Sequence, residues 1–161
     1  MTISGHPGSG TSTLVDGLCH SLNWKKLNGG QVFRDMADER GLSLEEFAQR
    51  CEDDDAIDQE LDALLSKTMQ SDSSPEIVES RLAGWWAHKN GLQCARVWVE
   101  VSEHVRAARV VNREGGGIED QLNLIQERME SDGERYDRFY GIDIESREPY
   151  TCIIQSDEMG V

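Results

Sequence analysis

The stretch that decides the fold is Gly5-His6-Pro7-Gly8-Ser9-Gly10-Thr11-Ser12-Thr13, close to the start of the chain. All but one of its defining positions match the glycine-rich phosphate loop G-x-x-x-x-G-K-[ST]. In such a loop, backbone N–H groups and the N-terminus of the following helix surround the phosphates of a nucleotide. Thr11 stands where the lysine usually lies. Because a transferring phosphoryl group carries several negative charges, we expect cations from elsewhere in the chain to replace it.

The residues around this loop predict the structure that a phosphate loop requires. Residues 1–4 can form only a short first strand, and a stripe of apolar residues at helical spacing follows the loop: Leu14, Val15, Leu18, Cys19 and Leu22. A flexible Gly/Ser turn is the simpler alternative, but the order of strand, loop and helix disfavours it. Ser12 occupies the position whose hydroxyl normally meets the metal ion, so the loop implies Mg²⁺.

Composition limits the kinds of protein that this chain can be. Its 161 residues suit a single domain, and the four cysteines contain no C-x-x-C pair that would suggest a zinc site. No apolar run approaches the roughly 20 residues that span a bilayer. We therefore expect a cytoplasmic, monomeric protein without a membrane partner.

The charge of the chain is strongly acidic. It carries 31 acidic and 16 basic residues, for a net charge of -15. This net charge argues against a nucleic-acid partner, because the phosphates of a nucleic acid attract basic proteins and repel acidic ones. Only four of the basic residues are lysine. A lysine-poor acidic surface is typical of proteins that work at high salt, which we keep as a hypothesis about habitat.

Strands alternate with helices along the chain, which predicts an α/β fold with a mostly parallel sheet. After the first strand, the clearest strands are predicted at residues 76–79, 95–101 and 150–154, where the valines of the second alternate. Gly29 and Gly30 are expected to break the chain before a helix, and a capping box at Ser43 to Glu46 predicts the start of another. Residues 31–70 and 114–142 are then helical insertions over the sheet.

Two groups of polar residues are candidates for ligand binding at the sheet edge. Arg34 lies one turn into the helix that follows Gly30, and Glu79 and Arg81 follow a predicted strand directly. The carboxyl ends of parallel strands are where open α/β folds bind ligands. Glu79 either orients magnesium-bound water or pairs with Arg81, and the sequence leaves both interpretations open.

Two sets of arginines flank a glycine triplet at residues 115–117. They are Arg106, Arg109 and Arg113 before the triplet, and Arg128, Arg135 and Arg138 after it. Arginines at helical spacing more commonly lie on a solvated helix face, where they form surface ion pairs. Their position around a glycine hinge instead favours a lid that brings guanidinium groups onto phosphates and excludes water.

These motifs together resemble the nucleoside monophosphate kinases, and most closely the archaeal-type cytidylate kinases. The resemblance covers nearly the whole chain and is carried by the loop with its threonine and by the segments Gly30-Gln31-Val32-Phe33-Arg34, Glu79-Ser80-Arg81-Leu82-Ala83-Gly84-Trp85, Val105-Arg106-Ala107-Ala108-Arg109 and Tyr140-Gly141-Ile142-Asp143. It implies a three-layer P-loop kinase fold in one domain, residues 1–161, with a monophosphate-binding insertion at 31–70 and a lid at 114–142. It also implies ATP-dependent phosphorylation of CMP and dCMP.

The resemblance assigns roles by position. Residues 5–13 would hold the ATP phosphates, Arg109 would lie near adenine, and Gly30, Arg34 and Arg81 would bind the monophosphate. Three arginines would stabilise the transferring group: Arg113, Arg128 and Arg135. Ser12 and Glu79 would hold Mg²⁺. His6, where relatives often have proline, and Gln31, often acidic, depart from the family pattern.

Two other functions fit the same residues. One is a kinase for UMP or AMP, because the base is chosen by a few pocket contacts that the sequence does not display. The other is a switch protein that binds ATP without turnover, which the absent lysine favours and the retained arginines oppose.

Overall fold

The computed structural model describes residues 1–53 and 55–158. Within this part the strands are β1 (Thr2–Gly5), β2 (Lys26–Asn28), β3 (Ile77–Glu79), β4 (Arg96–Glu100) and β5 (Cys152–Gln155). The helices are α1 (Thr11–Leu22), α2 (Gly29–Glu39), α3 (Leu44–Asp53), α4 (Asp55–Met69), α5 (Ala83–Lys89), α6 (Glu103–Glu114) and α7 (Ile118–Tyr140). The α/β fold expected from the sequence is therefore confirmed.

The strands form one sheet in the order β2-β3-β1-β4-β5, and every strand pair of the described sheet is parallel. Ile3 of β1 pairs with Glu79 of β3, and Gly5 pairs with Val99 of β4. Parallel pairing brings the carboxyl ends of these strands to one edge. The phosphate loop and Glu79 consequently leave the sheet side by side.

Helices cover both faces of the sheet and give the expected three layers. On one face, Val97 and Val99 of β4 pack with Val15 of α1 in a buried cluster, joined at its margin by Val105 of α6. On the other face, Val78 of β3 packs with Ala83 of α5. Strands buried on both faces in this way are usual in parallel sheets.

The helices α2, α3 and α4 lie between β2 and β3 and have their own small core, around Phe47 and Met36. The capping box is present, because the Ser43 hydroxyl accepts from the Glu46 N–H at 3.2 Å and the Glu46 carboxylate accepts from the Ser43 N–H at 2.9 Å. The expected break at Gly29 and Gly30 is wrong. Both glycines belong to α2, because the Asn28 side chain accepts from the Gln31 N–H at 2.8 Å and caps the helix.

The helices α6 and α7 form an antiparallel hairpin, joined by Gly115 and Gly116 with φ of 84° and 91°. Arg106, which the sequence groups with Arg109 and Arg113 as a candidate lid arginine, lies in the core instead. Arg106 is 2% exposed and donates to the Pro7 carbonyl oxygen and the Met129 sulfur, because α7 packs directly over this position. Within the described ranges, no helix is both long and apolar enough to cross a bilayer.

His6 belongs to the core although it lies in the phosphate loop. Its ring meets the Trp98 ring edge-on at 4.9 Å, and its Nε2 lies 3.2 Å from the Glu145 carboxylate oxygens. Burial, followed by the nearby Arg106, Arg147 and Arg81 guanidinium groups, lowers the pKa of His6 to about 4. The imidazole is therefore neutral at pH 7 and contributes no charge to a bound phosphate.

The low pKa of His6 predicts an acid-sensitive fold. Between pH 6.5 and pH 4 the unfolded chain binds a proton at this imidazole and the folded chain does not, so stability falls as the pH falls. His6→Phe has no imidazole and should lose this dependence. We therefore expect its free energy of unfolding to fall by about 3 kcal/mol less than that of the wild type between pH 7 and pH 4. Urea unfolding at both pH values measures it. The exposed His20, replaced by Gln, is the control, and equal pH dependence in wild type and His6→Phe would contradict the prediction.

Gly84 of α5 is required by close packing. A Cβ at this position would overlap the Tyr150 ring, whereas a Cβ at Gly17 of α1 would meet no atom within 4 Å. We expect Gly84→Ala to lower the free energy of unfolding by about 2 kcal/mol through overpacking. The matched change Gly17→Ala should raise it by about 1 kcal/mol, because alanine favours a helix. Urea midpoints test the pair, and the same sign for both variants would refute the packing argument.

Candidate active site

A cavity of about 870 Å³ lies at the carboxyl edge of the sheet, between the phosphate loop, α2, α6 and α7. Most of the site residues expected from the sequence line it: Gly5, His6, Pro7, Gly8, Gly10, Thr11, Ser12, Thr13, Gly30, Arg34, Glu79, Arg81, Arg109, Arg113 and Arg128. Ser9 is instead buried beneath the loop, at 1% exposure, and Arg135 lines an adjoining cavity. The fold thus brings residues that are far apart in the sequence to one place.

The conformation of the phosphate loop exposes backbone N–H groups to this cavity. Gly8 and Gly10 have φ of 80° and 83°, and a Cβ at Gly8 would come within 2.8 Å of the Arg106 carbonyl oxygen. Gly10 is the N-cap of α1 and supplies no side-chain cap. The first N–H groups of α1 therefore need a partner from outside the helix, and an anion at the helix N-terminus satisfies them.

Arginines supply the positive charge that the missing lysine would have carried. Thr11, the first residue of α1, presents a hydroxyl to the cavity, and the cationic side chains in its lining are Arg34, Arg81, Arg109, Arg113 and Arg128. Arg34 comes from α2, Arg81 follows β3, and the others come from α6 and α7. The charge on this cavity thus depends on four separate segments of the chain.

Glu79 is a buried carboxylate beside Ser12 at the carboxyl edge of the sheet. It is 6% exposed, and its two oxygens accept from the Ser12 hydroxyl at 2.8 Å and from the Asn28 amide. The sequence left a pairing with Arg81 open, but in the described structure Arg81 pairs with Asp132 instead. A hydroxyl beside one carboxylate fits Mg²⁺, which prefers oxygen ligands and keeps several waters. Among the described residues there is no cluster of three metal-binding side chains, so a closed protein cage is absent.

Asp132 of α7 is a site residue that the sequence analysis missed. Its carboxylate is 7% exposed and forms ion pairs with Arg81 and, at 2.7 Å, with Arg135. Arg128, Asp132 and Arg135 follow one another at i, i+4 and i+7, which places them on one helix face. This spacing was a signal that could have been recognised. Asn28, which caps α2 and donates to Glu79, had no comparable signal.

Arg128 lies in a strongly positive environment. Its side chain keeps some exposure to the cavity, but the surrounding protein lowers the pKa of its guanidinium, and the Arg81 guanidinium lowers it further. Desolvation and the neighbouring Arg81 guanidinium both disfavour the charge. An anionic ligand beside Arg128 would relieve both.

The remaining arginines differ in how firmly they are held. Arg109 donates to the carbonyl oxygens of Ser9, at 2.9 Å, and Ser156, which ties α6 to the phosphate loop. The Arg34 guanidinium donates to the Gln31 side chain at 2.8 Å. Arg113, near the glycine hinge, is 67% exposed and pairs with its neighbour Glu114. Arg113 can therefore reorient more readily than Arg109.

Comparisons with known proteins identify the fold and the family of this chain. A family model described as an AAA domain matches residues 1–137. The solved structures of shikimate kinase from Bacteroides thetaiotaomicron and of a gluconokinase from Sinorhizobium meliloti superpose with TM-scores of 0.61 and 0.59, at 15% and 16% identity. They cover 97% and 99% of this chain, which covers 85% and 82% of theirs. At this identity they show that the fold is that of P-loop kinases.

Closer relatives come from archaea. Cytidylate kinase from Natronomonas pharaonis is 41% identical over 156 residues, which are 97% of this chain and 80% of that protein. Cytidylate kinase from Thermococcus sibiricus is 38% identical over 160 residues, which are 99% of this chain and 80% of that protein. Identity of this level over nearly the whole chain, including the phosphate loop and the arginine-bearing helices, shows that the protein belongs to the cytidylate kinase family.

Proposed function

We propose that the protein transfers the γ-phosphoryl group of ATP to CMP, and also to dCMP, giving ADP and the diphosphate. The observation that carries this proposal is the cavity in which the uncapped N-terminus of α1 and five arginines meet. Such a set of donors suits two phosphate-bearing ligands better than one neutral substrate. The relatives named cytidylate kinase, at up to 41% identity, supply the choice of cytidine monophosphate.

The ATP side of the cavity is the phosphate loop. Its backbone N–H groups and the α1 N-terminus would bind the β- and γ-phosphates, and Arg109 would lie toward adenine. Ser12 and Glu79 would hold Mg²⁺, Glu79 through bound water. When bound, the ion would neutralise charge on the β- and γ-phosphate oxygens.

The monophosphate side is built from the insertion α2 to α4 and the residues after β3. Arg34 and Arg81 reach the cavity from these two segments and would bind the phosphate of CMP. The hairpin α6 to α7 would act as the lid, bringing Arg113, Arg128 and Arg135 toward the transferring group and excluding water. Arg81 and Arg135 would then exchange part of their pairing with Asp132 for the substrate phosphate.

The reaction needs no general base from the protein. A CMP phosphate oxygen, already ionised at neutral pH, would form the new bond to the γ-phosphorus while the bond to the β-bridging oxygen breaks. ADP then leaves with the electron pair of that bond. The arginines align the two ligands and stabilise the spreading negative charge, which is most of what phosphoryl transfer requires.

Activity with a panel of acceptors tests the function. We expect ADP formation from Mg-ATP to be fastest with CMP, followed by dCMP, and slower with UMP and AMP. Measuring each at low and at molar KCl also tests the habitat hypothesis, which predicts a higher rate in salt. Fastest turnover with UMP or AMP would contradict the proposed substrate, and ATP binding without any turnover would favour the switch protein.

Arg128 distinguishes a kinase from an ATP-binding switch. We expect Arg128→Ala to lower kcat by about 100- to 1,000-fold, because it removes charge stabilisation of the transferring group. The Kd for ATP should change little. Steady-state kinetics and calorimetry measure the two quantities, and Arg138→Ala, on the same helix but outside both cavities, is the matched control. Equal losses in kcat and ATP affinity would count against the lid role.

A further inference from the structure

A second cavity, of about 890 Å³, adjoins the first and shares with it Arg34, Arg81 and Arg128. Its lining is mixed, and one part of it is apolar and aromatic: Phe33, Leu61, Leu65, Leu82 and Tyr136. Flat apolar walls beside a cationic phosphate site suit a heterocyclic base attached to that phosphate. The second cavity is therefore placed to receive the base of the monophosphate.

Five carboxylates line this cavity: Glu45, Asp62, Glu114, Glu127 and Asp132. Three of them, Glu45, Glu114 and Glu127, are exposed, and Asp132 pairs with Arg81 and Arg135, which leaves Asp62 as the buried carboxylate beside the apolar residues. Asp62 of α4 is 9% exposed and lines this cavity. Its Oδ2 accepts a hydrogen bond from the Tyr140 hydroxyl at 2.9 Å. The Tyr140 ring is itself held by the Trp86 ring, edge-on at 4.8 Å, and by the Tyr136 ring, stacked at 6.4 Å. Asp62 thus presents its carboxylate from a fixed position.

A carboxylate selects strongly among the groups that a base can present. An ionised carboxylate only accepts hydrogen bonds, as the Asp62 carboxylate does from Tyr140. Cytosine carries an amino group at position 4, which donates. Uracil carries a carbonyl oxygen there, which would oppose the carboxylate with a second acceptor and leave both unpaired.

We propose that Asp62 determines base specificity by accepting a hydrogen bond from the 4-amino group of cytosine, with Tyr140 positioning the carboxylate. The proposal rests on the proposed function, because it takes CMP as the ligand of the cleft. A purely structural role for Asp62, as the partner of Tyr140, would affect stability but would not change the relative affinity for ligands that differ only at position 4.

Equilibrium binding tests the proposal independently of turnover. Calorimetry would give the Kd of wild type and Asp62→Asn for CMP, for UMP and for a CMP analogue whose 4-amino group is replaced by hydrogen. Because a hydrogen bond to a charged group is worth about 1.5–3 kcal/mol, we expect wild type to bind CMP about 10- to 100-fold more tightly than the analogue. In Asp62→Asn this ratio, and the ratio of CMP to UMP, should fall about tenfold or more.

Two further variants separate base recognition from general damage. Glu60→Gln changes an exposed carboxylate of the same helix, which pairs with Arg40, and should leave both ratios unchanged. Tyr140→Phe keeps the carboxylate and the ring but releases the hydrogen bond, and should reduce the ratios less than Asp62→Asn. Thermal unfolding of each variant checks that it is folded.

The outcomes are distinct from those for the proposed function. Equal affinity of wild type for CMP and the analogue, or unchanged ratios in Asp62→Asn, would overturn the role of Asp62 even if CMP is phosphorylated. Absence of phosphorylation with the Asp62-dependent ratios intact would instead refute the kinase activity and support base recognition by Asp62.

Discussion

Repulsion between the guanidinium groups that line one cleft is the constraint that the rest of the structure has to satisfy. Two unit charges 4 Å apart interact by about 4 kcal/mol at an effective dielectric constant near 20, so several arginines cannot be brought together without compensation. The Asp132 carboxylate provides this compensation, because it forms ion pairs with both Arg81 and Arg135. Among the described residues no carboxylate forms an ion pair with Arg128, and the lowered pKa of its guanidinium reflects that environment. A cleft of this kind is arranged for a polyanion.

The phosphate loop is connected to the rest of this arrangement through its neighbours. Arg106 lies beneath Gly8 and Pro7, Arg109 donates to the loop at Ser9, and His6 extends from the loop to Glu145, in the segment after α7. Helix α6 and the segment after α7 thus both contact the loop. Movement of this hairpin on the glycines at 115 and 116 would change the contacts of the loop and the positions of the arginines together.

Local patterns predicted most of the fold. Apolar periodicity located α1, alternating valines located β4, and Ser43 with Glu46 marked the start of α3. The predictions were wrong where a side-chain contact overrides the local pattern. Asn28 caps α2 and thereby makes Gly29 and Gly30 helical, and α7 covers Arg106, which the spacing alone grouped with Arg109 and Arg113. Capping and burial depend on contacts that a one-dimensional pattern does not contain.

The sequence by itself determined that strand, glycine-rich loop and helix follow one another, that the loop lacks a lysine, and that arginines flank a glycine hinge. These features are local. The backbone preferences of glycine and the helical repeat act between residues only a few positions apart, so the sequence shows them directly. Only the tertiary structure decided which arginines share a cavity, that Glu79 meets Ser12, and that Asp132 and Asp62 face the cleft. Parallel strand pairing and helix packing bring together residues far apart in the chain, as Arg109 and Ser9, 100 positions apart, and His6 and Glu145, 139 positions apart, show. Such proximity follows only from the complete fold.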